Sequence, residues 1–352
     1  MKSYSVPMLL LLVVPLAFSP GQRADSPASK STATTNVVAA ANTFLATLSE
    51  EERTNTLFDF AGVQRTGWSN LPSGIFQRKG LRLGDLTVVE RDAALALMAA
   101  ALSKSGYEKV RNIMNADEVL KNARGGQTGG RQGAPGRGGG AIRFGADEYF
   151  IALLGRPSAT APWLIQFGGH HLAINVTVVG PSSVMTPSLP ATQPARYVLN
   201  GQTIRPLGDE NDKGFALINA LDARQQKEAI LNYQVADLVL GAGADGKTIQ
   251  PEGILASSLT AGQQTLLLDV INEWVGILND EAAAAKMAEV KANLPRTYFA
   301  WSGSTTDGGL AYYRVQGPTL VIEYAPQQGD LQHIHTIYRD PTNDYGARLV
   351  KP

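Results

Sequence analysis

Apolar positions recur at helical spacing through the first third of the chain. Val37, Ala40, Phe44, Leu45 and Leu48 fall on one face of a helical stretch expected over Asn36–Phe60, as a 3.6-residue period requires. Ser49 with Glu52 three residues on reads as a capping box for the next helix. Thr87 and Glu90 repeat that signature at the head of a helix expected to run through Leu102, and a further amphipathic helix is expected over Glu108–Ala123. Trp68, Pro72 and Gly74 mark a loop between them.

From Tyr149 the period shortens. Tyr149–Leu154 and Trp163–Val179 read as strands, the second alternating and β-branched. Pro181–Pro194 reads as a loop. Phe215–Leu240 and Ala261–Leu294 read as long helices, the latter capped by Thr260, with a glycine-rich turn at Gly241–Gly246 between them. Arg296–Arg339 closes the pattern as an antiparallel meander turning at Gln316-Gly317-Pro318. No repeat of fixed period is present. These elements predict an α+β fold: a helical N-terminal third and long helices packed on a mainly antiparallel sheet, forming one domain over residues 36–352.

Two segments stand outside this pattern. Residues 1–21 combine Lys2, an apolar run from Met8 to Phe18 and small residues, the layout of a secretory signal peptide and too short for a spanning helix. Residues 22–35 read as a disordered leader, so the protein is expected to be periplasmic or secreted, without an integral span in the mature chain. At 124–140, nine of seventeen residues are glycine and three are arginine. A flexible surface insertion explains that better than a nucleic-acid arm, because 31 basic and 31 acidic side chains balance to zero net charge. No nucleic-acid partner is expected.

The chain has no cysteine, which excludes disulfides, zinc–thiolate sites, iron–sulfur clusters and thiol nucleophiles. It has four histidines, and they form two pairs: His170-His171 and His333-x-His335. On a strand, residues two apart share a face, so His333 and His335 can converge on one cation. Adjacent residues face oppositely, so one of His170 and His171, rather than both, is expected to join them. His171 shares its register with Ala173, Asn175 and Thr177, and His170 shares its own with Leu172, Ile174 and Val176. Three imidazoles and an open position suit zinc or copper. A cluster of histidines and carboxylates that binds a ligand or exchanges protons is the alternative. Glu323 is a candidate fourth ligand or general base, Asp340 a candidate to orient a histidine, Arg339 a candidate to hold an anionic group and Tyr345 a candidate proton donor. The acidic stretches Gly208–Lys213 and Asp340–Gly346 read as polar turns, and no P-loop, nucleophile elbow or strand-linked dinucleotide fingerprint is present.

Gly155-Arg156-Pro157-Ser158, Pro162-Trp163 and Gly169-His170-His171-Leu172 with Asn175 resemble a family of bacterial and fungal proteins catalogued as a domain of unknown function. His333-Ile334-His335 and Tyr338-Arg339-Asp340-Pro341 with Asp344-Tyr345-Gly346 look like that family's closing motif. The resemblance runs from about Ala39 to Leu349 and departs at Leu164, where a glycine is expected. It implies no activity. The expectation is therefore an exported metal-binding protein acting on a small-molecule or cell-envelope-derived substrate, with hydrolysis slightly favoured over copper oxidation because nothing specifies a redox cofactor. A non-catalytic metal- or ligand-binding protein is the competing class.

Overall fold

The computed structural model describes Met1 and residues 31–125 and 141–350. The expected signal peptide, most of the leader and all but the first two residues of the glycine-rich segment lie outside the described residues.

The chain opens with α1 (Thr32–Thr47), α2 (Glu50–Thr56), β1 (Leu57–Phe58), β2 (Leu81–Arg82), α3 (Val88–Ala101) and α4 (Lys104–Gly125). Both expected capping boxes form, Ser49 with Glu52 and Thr87 with Glu90. Helix α1 starts at Thr32, ahead of the expected Asn36, because the Ser31 hydroxyl caps it. The helical stretch expected up to Phe60 breaks at Leu48 and again at Leu57, where the chain turns into β1.

Strands β3 (Phe150–Leu154), β4 (Trp163–Gly169), β5 (Leu172–Val179), β6 (Ser182–Val184) and β7 (Leu189–Thr192) follow. Trp163–Val179 is thus a hairpin and not one strand: Gly169 pairs with Leu172, and His170-His171 is the turn. The expected loop at 181–194 carries β6 and β7. After the small hairpin β8 (Tyr197–Leu199) and β9 (Gln202–Ile204) come α5 (Gly208–Ala220), α6 (Ala223–Ala229), β10 (Ile254–Leu255), α7 (Ala261–Val275) and α8 (Asp280–Asn293). The helix expected over Phe215–Leu240 is α5 and α6, with residues 230–240 outside any helix, and the one expected over Ala261–Leu294 is α7 and α8. Asp222 starts a new capping box after α5, Gly276 ends α7, and Asn279 caps α8. The meander is present as β11 (Tyr298–Gly303), β12 (Ala311–Gly317), β13 (Leu320–Pro326) and β14 (Ile334–Arg339), followed by the short α9 (Ala347–Val350).

One sheet runs in the order β1-β3-β4-β5-β7-β14-β13-β12-β11-β10, with β2 beside β3 and β6 beside β5. Its ladders are antiparallel except β1 with β3. Strand β7 is the hinge of this order, pairing with β5 on one side and β14 on the other. It thereby brings the two histidine pairs, some 160 residues apart in sequence, together from the β4–β5 turn and the start of β14, with only β7 between.

Strand alternation gives the sheet two unlike faces. Ile165, Ile174, Tyr313, Ile322 and Tyr338 join Phe44, Leu97, Ile271 and Trp274 in the main core beneath the helices. Trp274 of α7 also donates to Thr336 Oγ1 on β14 at 3.0 Å. The other face, with Leu164, Ala173 and Ile337, packs under Trp68, Leu238 and Tyr345 from the loops. His335 alternates with Ile334 and so belongs to the loop-covered face.

A buried ion cluster ties three helices on the helical face. Lys109 of α4 reaches Glu210 of α5 at 2.5 Å and Glu273 of α7 at 3.1 Å, and Lys213 also pairs with Glu273. Burial pushes Glu273 upward, but Lys109 and Lys213 outweigh it and hold the carboxyl below its ordinary 4.5. Its contribution to stability is therefore full above pH 4.5 and is lost as pH falls through the lowered value. We expect the stability difference between wild type and Glu273→Gln, from urea unfolding, to shrink as pH is lowered from 5 toward 3. A difference that stays constant over that range would refute this role.

Candidate metal centre

The hairpin turn is built to present His170 and His171. A Cβ at Gly169 would lie 2.7 Å from the Tyr149 ring, so only glycine lets the strand pass Tyr149 there. Tyr149 then donates its hydroxyl to the His170 carbonyl at 2.7 Å. His171 takes a left-handed φ of 62°, uncommon for a residue with a side chain. Its N–H donates to the Asn70 carbonyl at 3.0 Å, and its carbonyl accepts from Ala191 of β7 at 2.8 Å.

Three imidazoles converge. His171 Nε2 and His333 Nε2 are 2.8 Å apart, and His335 Nε2 is 3.1 Å from His333 Nε2. His171, His333 and His335 thus form a group that could hold a metal ion. Nitrogens around a tetrahedral metal with bonds of about 2.0–2.1 Å sit about 3.3 Å apart, so the rings need open by only a few tenths of an ångström. His171 and His335 are buried and His333 is half-buried. Burial, then the neighbouring histidines, pushes the His171 imidazole well down and His333 down to about 4. Neutral imidazole is the form that binds a metal.

The carboxylate behind His335 is Asp237, whose Oδ1 lies 2.9 Å from His335 Nδ1. Burial opposes its ionisation, but His335 outweighs that and keeps Asp237 below the usual aspartate value. A carboxylate on Nδ1 fixes the tautomer that leaves the Nε2 lone pair free. His170 meets Asp117 Oδ1 of α4 at 2.6 Å, with its ring tilted 34° to that of His171 and its centroid 3.6 Å away. Asp117, His170 and His171 make a second group with ligand atoms within 4.8 Å of one another. Asp117 there already accepts from Gly145 N–H as well.

The other candidate residues have different employment. Glu323 is fully buried and accepts from Val239 N, Leu240 N and the Tyr312 hydroxyl, at 2.8–2.9 Å. It fixes the 237–240 segment that carries Asp237, and neither of its oxygens is turned to a histidine. Arg339 donates to the Leu240 and Gly241 carbonyls and pairs with Asp344 and Asp245, which leaves the guanidinium bound into the frame and not offered to an anion. Asp340 does not orient a histidine: it pairs with Lys286 at 2.7 Å and Arg348 at 3.3 Å and accepts from Thr342. The Tyr345 hydroxyl donates to Asp245 and accepts from Trp68 Nε1, both at 2.6 Å.

Sequence reasoning missed Asp237, Asp117, Asn70 and Arg78. The first three are common polar residues with no spacing signature. Arg78 is buried and donates from one nitrogen to the carbonyls of Ser69, Leu71 and Gly169 at 2.6–2.7 Å. It joins the loop around Asn70 to the strand end that carries the histidine turn.

A family model described as "Protein of unknown function (DUF3500)" matches residues 30–347. The chain belongs to this family. No curated protein and no solved structure matches it. The DUF3500 match spans both histidine pairs and every residue of the centre.

Truncating Arg78 leaves the buried Ser69 and Gly169 carbonyls and the partly buried Leu71 carbonyl without their charged donor, at roughly 1–3 kcal/mol per unsatisfied buried group. Arg78→Met should therefore lower the unfolding free energy by about 3 kcal/mol in denaturant titration. Stability within about 0.5 kcal/mol of wild type would show that the clamp contributes nothing.

Proposed function

We propose that this protein is an exported metalloprotein whose centre is held by His171, His333 and His335, and that it is a metal-dependent enzyme. The observation that carries the reading is that the His171 and His335 Nε2 atoms approach His333 Nε2 to 2.8 and 3.1 Å, with a carboxylate behind His335. Three neutral nitrogens and one half-exposed side are the donor set of a catalytic zinc or copper site. Such a metal supplies a nucleophilic hydroxide near neutral pH by acidifying bound water. Hydrolysis of a small extracellular or cell-envelope-derived substrate is slightly favoured over copper oxidation, since no sequence motif specifies a redox cofactor. The signal-peptide layout of residues 1–21 supports export to the periplasm or medium. Among the described residues no helix is long and apolar enough to cross a membrane.

A non-catalytic metal carrier is the second reading, and one observation favours it. His171 is 2 % exposed and His335 5 %, which suits a closed coordination sphere.

Protein purified without a histidine tag should carry near-stoichiometric zinc or copper, and the His333→Ala/His335→Ala variant should lose it. Asp237→Asn should weaken metal affinity by about 10- to 100-fold. Wild type that stays empty after reconstitution with both metals would overturn the metal reading. A loaded protein that neither hydrolyses esters, amides or phosphoesters nor consumes oxygen would select the carrier.

A further inference from the structure

Asn70 lies at the edge of the histidine group, half-buried, as His333 is. Its Nδ2 is 3.4 Å from His335 Nε2, long for a hydrogen bond. That nitrogen's lone pair is the one a metal takes, because Asp237 holds the proton on Nδ1. Metal binding would therefore strip the Asn70 amide of its acceptor and leave its N–H free to donate to a further ligand of the metal.

The backbone that carries this amide is held from both sides. The Asn70 carbonyl accepts from His171 N–H. Arg78 grips the Ser69 and Leu71 carbonyls flanking it, and the Ser69 hydroxyl accepts from Leu71 N–H at 3.1 Å. Trp68, two residues before, is pinned to Tyr345. A donor on a backbone anchored before its ligand arrives has less to reorganise on binding, which is what makes such groups effective toward developing or resident negative charge.

We propose that Asn70 is a ligand-binding residue of the centre: its Nδ2–H donates to the small anion or carbonyl oxygen that occupies the open metal position. This rests on the three-histidine metal reading and assigns the ligand class, an oxygen or anionic donor small enough to sit between Asn70 and His333. A carboxylate, carbonate or phosphoryl oxygen of a substrate meets that description, and so does azide, which serves as the probe.

The experiment loads the full-length mature protein with Co²⁺ and titrates azide by visible absorbance, for wild type, Asn70→Ala and Asn70→Asp. The Asn70 backbone contact to His171 survives both substitutions. Wild type should show cobalt bands that shift with azide. Asn70→Ala should bind Co²⁺ within about twofold of wild type yet bind azide about tenfold more weakly, the size of one charge-assisted hydrogen bond. Asn70→Asp should lose the azide shift, since its carboxylate repels the anion or takes the position itself. Equal azide affinity in wild type and Asn70→Ala overturns this proposal and leaves the metal reading intact. A large fall in Co²⁺ affinity in Asn70→Ala makes Asn70 a metal ligand and overturns its donor role. If wild type gives no cobalt bands, both readings fall.

Discussion

Three imidazole nitrogens within 3.1 Å of a neighbour cannot all keep their lone pairs without something positive between them. In water each would take a proton or a solvent molecule, but His171 is 2 % exposed and His335 5 %. At His171 and His333 desolvation opposes the protonated state, and the neighbouring histidines oppose it further. A shared proton answers part of this conflict, and a metal cation answers all of it. Much of the surrounding structure can be understood as holding the rings in that arrangement against their own repulsion.

The holding is done by groups that never touch the centre's interior. Glu323 fixes the segment that brings Asp237 to His335, while Arg339 fixes its continuation through the Leu240 and Gly241 carbonyls. On the opposite side Arg78 joins the Asn70 loop to the end of β4. Each has a buried charge answered by several backbone groups, an arrangement that is costly to disturb and so keeps loops in one place. The loop-covered face thus has the rigidity of a core without being built from apolar side chains alone.

Several features were legible in the residues because they rest on local chemistry. The capping boxes at Ser49 and Thr87 depend on atoms three residues apart, and both form. The C-terminal meander follows from alternation and a turn at Gly317. Long helical patterns misled at 215–240 and 261–294, because an apolar face continues across a break when consecutive helices pack on the same sheet. Trp163–Val179 misled for a related reason: both arms of a hairpin alternate, and His170-His171 gives no glycine or asparagine signal at its turn. The register argument assumed a strand at His170-His171, where the structure has a turn with the two rings 3.6 Å apart, so their different partners come from the turn and not from strand alternation. His171 goes toward His333 and His335, and His170 toward Asp117 on the helical side.

By itself the sequence determined the α+β class, the caps, the meander and the grouping of all four histidines into two pairs, since periodicity and spacing are properties of the chain. Tertiary structure alone decided that β7 would seat between β5 and β14 and so bring the pairs together. It also decided which carboxylates stand behind them. Asp237 and Asp117 are ordinary acidic residues until a loop held by Glu323 and a helix beside the turn carry them to an imidazole. Glu323, Arg339, Asp340 and Tyr345 looked like chemistry in sequence because they are polar residues near or within conspicuous motifs. Their partners come from distant segments, and only packing reveals that those partners already occupy them.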